Sequence, residues 1–243
     1  MNQETDQPIH KISLDEIFKK AFFYWKSTLF FQFLVSALYF GITLYAGIQL
    51  TKYYFGEQMN VFTPALLSKP EVFLNKINQL MLSENGSYFQ MAMALVKAAM
   101  FPLNIGLFRI YTLIDENKTP RFSDLLDGYS GSNFFKFWGY AIFWGVVFQL
   151  GFSFILPGIL WVFITLFVGP LLYFTPMRMM EAINLSAKVA IANWSIILPC
   201  AMLALLFGYS GVFVFLIGFF FTYPFWNAII YTLFKKYFNI KFV

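Results

Sequence analysis

Charged and apolar positions separate sharply along this chain. No charged residue lies between Lys136 and Arg178, and none between Lys188 and Lys235. Wound as helix, each stretch runs roughly 60 Å, twice the thickness of a bilayer's hydrocarbon core. Each stretch is therefore expected to cross a membrane twice. The first divides at Leu156-Pro157-Gly158 and the second at Gly208-Tyr209-Ser210-Gly211, where Gly and Pro favour tight turns. Upstream, residues 27–51 carry no charge, and residues 88–114 are interrupted only by Lys97 and Arg109. The pattern predicts an all-α, polytopic membrane helix bundle with six transmembrane helices, at 29–50, 88–114, 135–155, 159–174, 192–207 and 212–234. None of these segments shows the in/out alternation that a transmembrane barrel needs.

Shorter amphipathic segments lie between and before the spans. Ser13-Leu14-Asp15-Glu16 has capping-box spacing, and Leu14, Ile17, Phe18, Ala21 and Trp25 then share one helical face. This reads as an interfacial helix leading into the first span. Ser68-Lys69-Pro70-Glu71 repeats the start signal ahead of Phe73, Ile77, Leu80 and Met81. Phe122, Leu125, Leu126 and Tyr129 form a short apolar stripe after Pro120. Thr175-Pro176 has the form of an N-cap and first helical residue. The helix expected there runs through Met180, Ile183 and Ala187 and carries Arg178, Glu181 and Lys188, a candidate cytoplasmic contact helix. The organisation is thus a cytoplasmic tail and amphipathic helix at 1–27, a membrane domain at 28–234 and a cytoplasmic tail at 235–243.

Basic residues orient the bundle. With both termini inside, Lys52, Lys69 and Lys76 fall outside, Lys97 lies in a span, and the other 13 of the 17 Lys and Arg residues fall inside. The positive-inside rule then predicts N-in and C-in. The net charge of +5 serves topology rather than nucleic-acid binding, because the basic residues are spread over the loops. Only 12% of residues are charged and 59% are hydrophobic, against about 25% charged in soluble domains. Cys200 is the only cysteine, so no disulfide framework or thiolate metal cluster is expected. The opening residues are polar or amphipathic and do not resemble a cleavable signal peptide. The excess of Lys over Arg and the 34 Phe residues point to an A+T-rich bacterial genome, hence a bacterial inner membrane.

The chemistry of catalysis is sparse. No carboxylate falls within the six expected spans, where a proton-coupled transporter usually keeps one. No His/Cys/Asp/Glu group has metal-ligand spacing, and His10 is the only histidine. A Ser-His-Asp triad has no usable base, and Ser130-Gly131-Ser132 lacks the Gly-Lys-Ser/Thr of a phosphate loop. Lys97, Asn104 and Tyr111 are spaced by seven and fall on one helical stripe, with Pro102 able to bend the helix between them. They are the candidate polar groove. The alternative for Lys97 is that it reaches the interface along its aliphatic stem. Gln149 and Asn227 are candidates for interhelical hydrogen bonds, and Gly211 and Gly218 for a close helix approach. Pro199 and Pro224 are candidate kinks.

The second half carries a further pattern. Ile155-Leu156-Pro157-Gly158-Ile159 is followed by an aromatic span and by Glu181-Ala182-Ile183-Asn184-Leu185-Ser186. Gly218, Thr222-Tyr223-Pro224 and Tyr231 come later, and Arg121-Phe122-Ser123-Asp124-Leu125-Leu126 precedes the third span. From about Gly106 to Tyr231 this resembles the six-span bacterial membrane family of unknown function related to the membrane domain of glycerophosphodiester phosphodiesterases. The resemblance implies a fold and no agreed activity; the phosphodiesterase catalytic domain has no counterpart here. Carotene-cleaving oxygenases hold iron with four histidines, which a chain with His10 alone cannot supply. The expectation is a non-enzymatic scaffold or accessory protein without a cofactor. Its partners would be membrane lipids and another membrane or cytoplasmic protein, not nucleic acid. A small-molecule or lipid transporter is the alternative.

Overall fold

The computed structural model describes residues 13–56, 58, 69–214 and 217–238; His10 and Ser68 lie outside them. The described residues form helices and turns, with no strand among them. Among the described residues, five helical stretches are long and apolar enough to cross a bilayer, as in an all-helical membrane protein. They are Leu29–Phe55, Glu84–Asp115, Leu156–Phe174, Trp194–Phe213 and Ile217–Phe238. The segment expected to cross at 135–155 is also a helix, Asn133–Phe152, but it is not one of the five. Its 20 residues are long enough; Lys136, Trp138, Tyr140, Trp144 and Gln149 dilute its apolar character.

In chain order the helices are α1 (Leu14–Ser27), α2 (Leu29–Phe55), α3 (Pro70–Leu82), α4 (Glu84–Ala99) and α5 (Pro102–Asp115). They continue with α6 (Phe122–Leu125), α7 (Asn133–Phe152), α8 (Leu156–Ile164) and α9 (Val168–Phe174). The last four are α10 (Met179–Ala192), α11 (Trp194–Ser210), α12 (Ile217–Thr222) and α13 (Phe225–Phe238). Three of the five candidate spans are therefore interrupted: between α4 and α5, between α8 and α9, and between α12 and α13. Pro102 and Pro224 stand at two of these breaks, where a missing N–H and a ring clash end the ladder. Pro199 does not break α11, which continues through it.

The core sits around α13. From Phe225 to Phe234 every residue except Trp226 is buried, and α13 packs on α1, α11 and α5. In lipid such contacts gain little from the hydrophobic effect, because acyl chains are as apolar as Leu; close packing and hydrogen bonds hold them. Two close approaches need glycine. A Cβ on Gly106 of α5 would collide with the Leu125 carbonyl of α6, and one on Gly158 of α8 would lie 2.8 Å from Phe152 Cα. Gly211 and Gly218 also meet, but across the tip between α11 and α12 rather than along one helix.

The amphipathic segments depart from the sequence reading. The capping box of α1 forms as expected: Ser13 N donates to Glu16 Oε2 at 3.2 Å and Glu16 N to Ser13 Oγ at 3.3 Å. Yet the face bearing Ile17, Ala21 and Tyr24 is buried along α13 of the same chain. α3 starts at Pro70 behind Lys69, whose side chain makes no capping bond. α10 starts at Met179, later than the Thr175 cap predicted. Thr175 instead closes α9, its hydroxyl donating to the Leu171 carbonyl at 2.6 Å.

Candidate functional site

The ends of α1, α5 and α13 meet at one carboxylate. Asp115, the last residue of α5, accepts from Tyr24 Oη of α1 at 2.6 Å and from Tyr231 Oη of α13 at 2.7 Å. Lys235, one helical turn beyond Tyr231, donates to it at 2.6 Å. The Lys235 and Asp115 side chains are 25% and 21% exposed, so the pair is partly wet. The network continues inward. Tyr231 Oη lies 3.3 Å from Thr112 Oγ1, and the rings of Tyr24, Tyr111 and Tyr231 contact one another. Gln32 Nε2 of α2 donates to Tyr111 Oη at 2.6 Å and to Thr28 Oγ1 at 3.0 Å, and Thr28 Oγ1 donates to the Tyr24 carbonyl. Burial, and then the hydrogen bond to Asp115, raises the Tyr24 phenol above its usual range. Three donors converge on the carboxylate, so this geometry joins helices rather than freeing a base for proton transfer.

A second set of contacts seals the three breaks. At membrane depth a freed backbone group without a partner costs several kcal/mol. Beside the α4–α5 break, Tyr129 Oη donates to the Ala99 carbonyl at 2.9 Å. Burial pushes this phenol up to about 12. At the α8–α9 break, Ser186 Oγ of α10 donates to the Ile164 carbonyl at 2.7 Å and accepts from Phe167 N at 3.1 Å. At the α12–α13 break, Trp25 Nε1 of α1 donates to the Phe221 carbonyl at 2.7 Å. Each sealing side chain comes from a segment between or before the spans.

The sequence-predicted residues fall into separate settings. Lys97 is exposed near the end of α4. Asn104, past the break on α5, accepts at Oδ1 from Asn227 Nδ2 of α13 at 3.0 Å. Tyr111 is fully buried against Gln32, Tyr24 and Tyr231. The interruption at Met100 and Phe101 divides the stripe that a continuous helix would have given. Asn227 makes the interhelical bond expected of it, whereas Gln149 is exposed. Arg178, which caps α10, and Glu181 and Lys188 on it are all exposed, and Arg178 N donates to Glu181 Oε2 at 3.0 Å. The opposite side of α10 buries Ala182, Ile183, Ser186 and Ala190.

Sequence reasoning missed Asp115, which stands one residue past the end of the second expected span. A usable signal was present. A tyrosine in a buried apolar helix needs a partner for its hydroxyl. Tyr24, Tyr111 and Tyr231 stand in three segments otherwise rich in Phe and aliphatic residues. Comparison of the chain with known proteins finds no matching family model, no matching curated protein and no matching solved structure.

Proposed function

We propose that this chain is a non-enzymatic scaffold or accessory protein of a bacterial inner membrane, acting through contacts with lipids and other proteins. In this reading α7 supplies a sixth crossing, both termini are cytoplasmic, and the likeness to the six-span family reflects the same architecture. The observation that carries the proposal is the engagement of several interior polar groups with one another and with the backbone, although among the described residues Gln32 Oε1, Ser36 Oγ, Thr43 Oγ1 and Tyr237 Oη are buried without a hydrogen-bond partner. Asn104 is paired with Asn227, Tyr111 with Gln32, and Ser186, Trp25 and Tyr129 with backbone carbonyls. A solute path would need such groups to face a ligand instead. The exposed polar face of α10, with Glu181, Asn184 and Lys188, then stands on a helix that its buried face fixes to the bundle.

The test uses the full chain purified gently from its native membrane. Asn184→Arg with Lys188→Glu should remove a stoichiometric copurifying protein while leaving thermal stability unchanged. Unaltered copurification in this variant would sink the α10 platform. Lipid movement between leaflets of reconstituted vesicles, abolished by Asn104→Leu, would establish the transporter reading in its place.

A further inference from the structure

A separate feature lies in the outer half of α2, remote from the Asp115 network. A groove of about 980 Å³ opens between α2, α4 and α12. Phe40, Leu44 and Ile48 form its α2 wall, Met93 faces them from α4, and Phe219 and Phe220 border it from α12. Leu44 and Ile48 are 67% and 46% exposed, so the groove is open to the surrounding medium. Gly47 contributes width: a Cβ placed there would already touch Met93 Cε at 3.7 Å. One end of the groove is cationic, with Lys52 lining it and exposed.

We propose that this groove binds one phospholipid with an anionic headgroup, the headgroup phosphate at Lys52 and an acyl chain running toward Phe40. Length is the first argument. Phe40 to Lys52 spans about 18 Å of helix, close to the depth of one leaflet's hydrocarbon layer, half of a core about 30 Å thick. Position is the second. Lys52 stands in the last turn of a candidate span, where a lysine meets headgroups, and the wall below it is apolar apart from Thr51 and Thr43. Charge is the third. Among the described residues lining the groove, the one cation sits at its end and not along its length, which suits a molecule with one charged end and an apolar body. A second copy of this chain or an apolar peptide has no such polarity to match.

The inference concerns a different site from the proposed cytoplasmic platform, and either can fail alone. The test is native mass spectrometry of the full chain released from micelles holding equal amounts of phosphatidylglycerol and phosphatidylcholine. Wild type should retain phosphatidylglycerol in preference to phosphatidylcholine. Lys52→Ala should reduce that preference about fivefold, the effect of one surface lysine on an anionic lipid. Lys52→Arg should keep it. Ile48→Trp should reduce retention of both lipids by filling the groove, and Lys188→Ala should change neither. Equal retention of the two lipids by wild type would overturn the proposal. So would unchanged phosphatidylglycerol retention in both Lys52→Ala and Ile48→Trp, since the lipid would then lie elsewhere. A dimer lost on Ile48→Trp, without lipid loss, would assign the groove to a second copy.

Discussion

The C-terminal half of α2 and the helix α13 are both apolar segments of candidate spans, but they live in different surroundings. Only 17% of the most apolar α2 window is buried inside the protein, against 56% for the span containing α13. α2 is a single unbroken helix, while α13 follows a break whose freed carbonyl is held by Trp25. An unbroken helix satisfies its own backbone and can face lipid on several sides. A broken one cannot, so the bundle must supply partners where the ladder fails. Polar side chains, short helices and close glycine contacts therefore collect around the interrupted spans. The uninterrupted span keeps a surface open to lipid.

The comparison is tested most severely where α13 is tightest. Leu233 is fully buried, and Leu233→Ala should destabilise the protein by about 3 kcal/mol through lost packing and the cavity left behind. Asp115→Ala should cost a similar amount, about 3 kcal/mol, because Tyr24, Tyr231 and Lys235 lose the acceptor they share. Asp115→Asn should cost less, since an amide oxygen still accepts. Thermal unfolding in micelles measures all three. An Asp115→Ala protein as stable as wild type would mean that the carboxylate is not what joins α1 to α5 and α13.

Next in size is the sealing of a break. Ser186→Ala removes both the donor to Ile164 and the acceptor from Phe167 N, and should cost about 2 kcal/mol. Ser186→Thr keeps the hydroxyl and should retain part of that stability. Faster amide exchange at Phe167 in Ser186→Ala would locate the effect at the break. No change at Phe167 would show that the break needs no sealing.

These elements were unequally legible in the sequence. Long charge-free runs located four of the five candidate spans, because burying charge in lipid is costly and the signal accumulates over about 20 residues; the remaining one, Glu84–Asp115, carries Lys97 and Arg109. Pro102 and Pro224 marked two breaks correctly, since a missing N–H acts locally. The third break, between Ile164 and Val168, is followed by Gly169-Pro170, whose missing N–H and ring disrupt the ladder at the Leu166 carbonyl, a signal the sequence reading did not use. Its partner Ser186 lies 22 residues from Ile164, a separation that periodicity cannot read. The amphipathic faces of α1 and α10 were recognisable, but an apolar stripe looks the same whether it meets lipid headgroups or another helix. The Lys97–Asn104–Tyr111 stripe depended on helical phase being kept across Pro102, and the break removed that condition. Asp115 escaped because its partners come from segments at opposite ends of the chain.

Alkaline titration gives a smaller effect. Burial raises the Tyr129 phenol from its ordinary value of 10.0 to about 12. The folded state therefore holds this proton more tightly than the unfolded state. The associated stability is fully present below pH 10.0 and is lost as pH rises through about 12. Tyr24 shifts in the same direction and adds to the loss on the alkaline side. Tyrosinate absorbance should show a late-titrating component, reduced in Tyr129→Phe. A Tyr129→Phe protein with the same late component would place that phenol in water rather than against Ala99.

The smallest effect belongs to the open side of α2. Leu44 is 67% exposed, so Leu44→Ala removes few contacts within the protein. Leu and Ala are both good helix formers, so α2 itself should be little disturbed. Lipid or detergent already covers much of this side chain and can cover the smaller one. The change in stability should be within about 0.5 kcal/mol, as for exposed positions generally. The same substitution thus separates two environments: a large loss at Leu233 and almost none at Leu44. Equal losses at the two positions would mean that α2 is packed against protein along its C-terminal half as fully as α13 is within the bundle. The contrast between a self-satisfied, lipid-facing helix and an interrupted, protein-bound one would then be wrong.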